Sequence, residues 1–179
     1  MHVGVVKARL HQSFSAPGPE PDSAFRVVIA YEDYAAGRSA MDTYHLLLSR
    51  FGRELDFRIS IWPFEVLQGS RFDAAVRDAV VADAIIVATH RRDGLPEPVQ
   101  NWVDGWTARK EGRVALLIAL FDGPPGASFP MHDYFKSAAG RAGIDFLANR
   151  IESERDRSQA ASVFTRTSRE GPEGWGLND

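Results

Sequence analysis

Apolar positions along this chain alternate between short continuous runs and helical stripes. Residues 25–31, 84–88 and 114–121 are apolar runs of strand length, the pattern of strands covered on both faces. Residues 55–62 differ. Leu55, Phe57, Ile59 and Ile61 alternate there with Asp56, Arg58 and Ser60, which predicts a half-exposed edge strand. Between the runs, Met41, Tyr44, Leu48 and Phe51 recur every three or four residues, predicting a helix from about Arg38 that ends at Gly52. A second helix is expected over 70–81, burying Phe72, Ala75, Val76, Ala79 and Val80. A third over 95–110 buries Val99, Trp102, Val103 and Trp106. A helix over 133–142 and a short strand over 144–147 complete the pattern.

Strands that alternate with helices predict an α/β fold, a three-layer sandwich around a five-stranded, mostly parallel sheet. An edge second strand beside interior first, third and fourth strands gives the flavodoxin-like order 2-1-3-4-5. Residues 1–24 hold a small apolar cluster, Val3, Val5 and Val6, then Pro17, Gly18, Pro19 and Pro21, and read as a flexible arm. Within it, residues 3–10 have a second reading as a strand added to an exposed sheet edge. Residues 152–179, charged and rich in Ser and Gly, read as a mostly disordered tail. The domain itself is expected over 25–151.

In such a sheet, ligands sit beyond the carboxyl ends of the strands, where the strand order reverses. That rule selects Glu32, Asp33 and Tyr34 after strand one and Thr89, His90, Arg91, Arg92 and Asp93 after strand three, sharing one crevice. Asp122 follows strand four. Trp62 and Pro63 follow strand two, as an aromatic wall or as plain packing. Residues 122–131, with Gly123, Pro124, Pro125, Gly126 and Pro130, read as a flap over the rim or as a surface loop. Trp102 and Trp106, one helical turn apart, suit core packing or a dimer contact.

Composition narrows the function classes. A formal net charge of -3 supplies no basic field for nucleic acid. No apolar run approaches the about 18 residues of a membrane span, and no secretory apolar stretch opens the chain, so a cytoplasmic location is expected. The chain has no cysteine, which excludes disulfides, thiolate catalysis and iron–sulfur clusters. Its 5 histidines lack ligand spacing, so no zinc site is expected.

Gly94-Leu95-Pro96, Asn101-Trp102, Trp106 and the strand from Arg113 to Ile118 reproduce a layout that resembles the flavodoxin-like NADPH-dependent FMN reductases over residues 82–122. The resemblance implies FMN or a related nucleotide in the crevice between strands one and three, and pairing of two copies through helices beside it. On that reading Arg38 and Ser39, with Gly37 and Thr43, hold the phosphate at a helix amino terminus, while the loop from Thr89 to Gly94, with His90 and Arg91, borders the ring, and Glu32, Asp33, Trp62 and Asp122 are further candidates around the cofactor. The sequence departs from the family in two places. Glu32 and Asp33 stand where the family has a phosphate loop rich in Ser, Thr, Gly and Asn, and His90 to Asp93 put charge where it has an aromatic. In the plainer reading Ser39 caps the helix and Arg38 is a solvated side chain.

The acidic pair is similar to that of receiver domains, where it binds magnesium. Such domains need a phosphate-accepting Asp after strand three, and Thr89 and His90 stand there instead. Three readings stay open: a protein binding FMN or a related nucleotide, an interaction module of the same fold without cofactor, and a nucleoside-type hydrolase or transferase using Glu32 or Asp33.

Overall fold

The computed structural model describes residues 24–110, 112–122 and 130–151. The arm, the tail and the interior of the flap that the sequence suggested lie outside the described residues.

Strands and helices alternate as expected, with one unexpected 3-10 turn after the second strand: β1 (Phe25–Tyr31), α1 (Tyr34–Phe51), β2 (Phe57–Pro63), the 3-10 turn (Phe64–Val66), α2 (Phe72–Val81), β3 (Ala84–Thr89), α3 (Glu97–Thr107), β4 (Leu116–Phe121), α4 (Pro130–Ala142) and β5 (Asp145–Arg150). All four strand pairs are parallel and the order is β2-β1-β3-β4-β5, the flavodoxin-like arrangement. β3 is buried at every position and β4 at all but its first, so their apolar runs have no polar face to lose. β2 and β5 are the edges. β5 runs to Arg150, past the expected end at 147, because at an edge a strand can carry the exposed Asn149 and Arg150.

Each strand sends alternate side chains to opposite layers. Val28, Ala30, Ile85, Val87, Leu117 and Ala119 face α2, α3 and α4, where Trp102 and Trp106 are fully buried with their rings 6.1 Å apart, edge to face. These two indoles are core, so neither offers a dimer contact. Val27, Ile29, Ile86, Ala88, Ile118 and Leu120 face α1. Burying a large side chain of this kind contributes roughly 1.5–3 kcal/mol, and the two layers together outweigh any single surface contact. Among the described residues, no helix is long and apolar enough to cross a membrane.

α1 departs from expectation in start and register. It begins at Tyr34, four residues before Arg38, because Asp33 takes an extended conformation and its carboxylate accepts the Ala36 N–H at 2.9 Å, the standard arrangement of an amino-terminal cap. The face it buries is Ala36, Ser39, Ala40 and Tyr44, whereas Phe51 is 45% exposed. Small residues at three of these four positions let the helix lie close to the sheet. A further close approach occurs at Gly37, where a Cβ would stand 2.9 Å from the ring of Tyr31.

Behind the rim, Lys110 closes the other end of the domain. Its side chain is 1% exposed and its ammonium donates to the carbonyls of Ala79 at 2.9 Å and Ala82 at 2.6 Å, at the carboxyl end of α2. The Ala82 carbonyl lies beyond the last helical turn and the Ala79 carbonyl also accepts the Ala82 N–H at 3.3 Å, and a cation there meets the negative end of the helix dipole. Burial pushes the ammonium down to about 8, against the pull of Asp83.

Candidate functional site

The sheet order brings Glu32, Asp33, Thr89, His90, Arg91 and Asp122 together at the carboxyl ends of β1, β3 and β4. The pairing of β1 with β3 continues one step beyond the strand, as the Glu32 N–H donates to the Ala88 carbonyl at 3.0 Å. This step aims the Glu32 carboxylate across the end of β3. One oxygen accepts the Thr89 hydroxyl at 2.7 Å and the His90 N–H at 3.0 Å; the other accepts Arg91 Nε at 2.7 Å. Thr89 is fully buried, and its hydroxyl oxygen in turn accepts the Arg91 N–H at 3.1 Å.

His90 joins this group to a second one. Its Nδ1 lies 3.1 Å from the Asp122 carboxylate and its Nε2 lies 3.3 Å from the Asp33 carboxylate, the same oxygen that caps α1. As an imidazolium it donates from both nitrogens, bridging the start of α1 to the end of β4. Arg92 Nε donates to the Asp122 carbonyl at 2.9 Å, and the Met131 N–H donates to the Arg92 carbonyl at 3.2 Å, which ties α4 to the same loop.

The electrostatics follow from these contacts. Burial pushes the Glu32 carboxyl up, but the bonds from Thr89, Arg91 and His90 and the Arg91 charge outweigh it, so the group lies below its ordinary 4.5. Burial likewise pushes His90 down, and the hydrogen bond and charge of Asp122, joined by Asp33, overcome it. His90 therefore lies above its ordinary 6.5. Both shifts favour the charged forms, and the charges neutralise one another across the crevice.

The remaining candidates lie elsewhere. Ser39 is buried in the second turn of α1, where its hydroxyl donates to the Ala35 carbonyl at 3.3 Å and Thr43 repeats the pattern onto Ser39 at 3.0 Å. The structure corrects the expectation that Ser39 caps the helix: Asp33 caps it, and the Ser39 hydroxyl donates within the helix to Ala35. Arg38 sits in the same turn with its guanidinium 5.9 Å from the centre of the Tyr34 ring. Gly37 and Arg38 are therefore helical residues. Trp62 belongs to the opposite layer, packed on the core under α2 and donating its indole N–H to Asp78 at 3.2 Å. It forms no wall of the crevice.

A cavity of about 620 Å³ opens beside this network, between α1 and the carboxyl ends of β1 and β2. Met41, Ile61 and Glu65 line it and were not candidates from sequence. Ile61 is apolar yet 48% exposed, and the alternation along β2 carried no sign of this because it placed Ile61 on the apolar face. Among the described residues, no group of three His, Asp or Glu is placed to hold a metal ion.

No protein-family model matches the chain, and no curated protein matches it. Among solved structures, the chain is similar to a flavodoxin-like domain from Synechococcus sp., at 14% identity and TM-score 0.46, over 78% of this chain and 99% of that one. It is similar to the flavodoxin of Streptococcus pneumoniae TIGR4, at 16% identity and TM-score 0.47, over 80% and 99%. A third is general stress protein 14 of Treponema denticola in complex with FMN, at 12% identity and TM-score 0.47, over 80% and 98%.

Proposed function

We propose that this chain is a flavodoxin-like binding module that works without a flavin. One observation carries the reading: the crevice between β1 and β3 is filled by its own charged side chains, each with a partner. FMN, which the sequence resemblance implies, does not fit the residues present. Its phosphate needs free amides and hydroxyls at the start of α1, and the Asp33 carboxylate already accepts the Ala36 N–H there. Arg91 and His90, the cations of this network, are already paired to Glu32 and to Asp33 and Asp122, so neither offsets the charge of an incoming phosphate. The flavin ring would lie where His90 and Arg91 are committed to Asp122 and Glu32.

The hydrolase reading loses support from the same geometry. Glu32 receives three hydrogen bonds, and Asp33 accepts the Ala36 N–H and faces His90, so both carboxylates that reading names are held in structural contacts. In the proposed role the module is cytoplasmic and recognises a small molecule or a partner through its rim. Sedimentation velocity decides whether it works as one copy or two.

The test is the visible spectrum of the purified protein followed by titration with FMN. The expected result is no flavin band and no saturable change up to about 100 µM FMN, weaker than about −5.5 kcal/mol. A co-purifying flavin, or saturation at low micromolar FMN, would overturn the proposal.

A further inference from the structure

The outer edge of the sheet at β2 carries a pattern that fits a second copy of itself. The Phe25 N–H donates to the Asp56 carbonyl at 2.7 Å, and β1 pairs with β2 in the register of Phe25 with Phe57. Along a strand the N–H and C=O of one residue point to one side and those of the next residue to the other. Asp56, Arg58, Ser60 and Trp62 therefore bond β1, while the N–H and C=O groups of Phe57, Ile59 and Ile61 point outward. Among the described residues, no strand pairs with them from that side. The devices that blunt an edge are missing from Phe57 to Trp62, which hold no Lys, no Pro and a single charge, Arg58. β5, the other edge, instead exposes Asp145, Asn149 and Arg150.

We propose that two copies of this chain pair through β2, antiparallel about a twofold axis at Ile59, so that their sheets join into one. In this register Ile59 faces Ile59 of the second copy, and Phe57 faces its Ile61. Each outward N–H and C=O of these residues then has a partner, because outward-pointing residues stand opposite one another as hydrogen-bonded pairs. With the axis moved to Ser60, Phe57 would face Pro63, which has no N–H to give. Phe57, Ile59 and Ile61 share the α1 face, so two apolar strips meet. On the opposite face Arg58 stands across from Ser60 of the second copy, and no like charges are directly opposed. The two Arg58 side chains lie on the diagonal, about 7–8 Å apart and exposed, where solvent and salt screen them.

The pairing also bears on the cavity of about 620 Å³ between α1 and β2. α1 packs on β1, β3 and β4, so a strand can approach β2 without meeting the helix. Phe57 of the second copy faces Ile61, which is 48% exposed in the single chain, and its Leu55 falls across from Pro63. Ile61 and Pro63 both line the cavity, so the second copy completes the outer wall. An edge of 7 residues offers less than the about 800 Å² per partner of a standard stable interface, so a modest affinity is expected. The pairing depends on the fold alone and holds whether or not a flavin binds.

Sedimentation velocity of the full chain from about 5 to 500 µM measures the association, with an expected dissociation constant near about 50 µM. Amide hydrogen exchange followed by NMR locates it. The Phe57, Ile59 and Ile61 amides should exchange more slowly as concentration rises, while those of Arg58, Ser60 and Trp62, bonded to β1, are protected throughout. Ile61→Lys sets a charge against Phe57 of the second copy on both sides of the axis and should weaken pairing at least about tenfold. Leu147→Lys, at a similarly exposed position on the other edge, should leave it unchanged. Circular dichroism checks that both variants fold. A chain that is monomeric at about 500 µM, or an association unmoved by Ile61→Lys or broken by Leu147→Lys, would overturn the proposal. So would full protection of Phe57, Ile59 and Ile61 in a dilute monomer, the result expected if residues 3–10 of the same chain covered the edge.

Discussion

Glu32 occupies the most heavily bonded position on the rim, and its contacts separate charge from hydrogen bonding. Glu32→Gln keeps an oxygen for Thr89 and His90 while removing the charge that faces Arg91. With Glu32 mostly covered and Arg91 half exposed, this pair is worth more than a fully solvated one and less than a buried one. The expected loss is about 1 kcal/mol, read as a lower urea midpoint with unchanged slope. The partners themselves could not be read from periodicity. Glu32 and Thr89 are 57 positions apart, and only the strand order places them on one rim. That order was legible, so the rim residues could be named from sequence, whereas which oxygen meets which donor could not.

At the scale of elements, the strands were legible because burial on both faces leaves a continuous apolar run, and the edge because half-burial leaves an alternation. The start of α1 was less so. Of its stripe, Met41, Tyr44 and Leu48 pack on the core while Phe51 is exposed, and the face against the sheet is set by Ala36, Ser39, Ala40 and Tyr44, since small residues bury backbone as well as side chains. The cap at Asp33 was masked by its place in an acidic pair that also suits ligand chemistry. Asp33→Ala removes the acceptor of the Ala36 N–H and a partner of His90, and a destabilisation of about 1–2 kcal/mol is expected in thermal or urea unfolding. Lys110 holds α2 to the chain after α3 from a buried position. Lys110→Met takes the ammonium from the Ala79 and Ala82 carbonyls, the first of which keeps the Ala82 N–H, so about 2 kcal/mol should be lost, while an exposed lysine such as Lys136→Met should change stability by under about 0.5 kcal/mol.

For the molecule as a whole, the two rim shifts set a pH window for stability. Glu32 lies below its ordinary value, so its contribution is complete above pH 4.5 and is lost as pH falls through the folded value. His90 lies above its ordinary value, so its contribution is complete below pH 6.5 and is lost as pH rises through the folded value. Both are present between 4.5 and 6.5. Because His90 and its two aspartates are partly solvated, the decline above that window is about 0.5 kcal/mol after screening, and His90→Gln should abolish it. The charged groups that would greet a flavin phosphate in this fold are here spent on one another, which joins α1, β3, β4 and α4 at a single rim. The most direct test of that closure is an NMR titration of the His90 ring, assigned by its loss in His90→Gln, in the parent protein and in Asp122→Asn. A midpoint above 6.5 in the parent that drops in the variant is the expected result. A midpoint at or below 6.5, unmoved by the substitution, would mean that His90 bridges nothing and that the crevice is open.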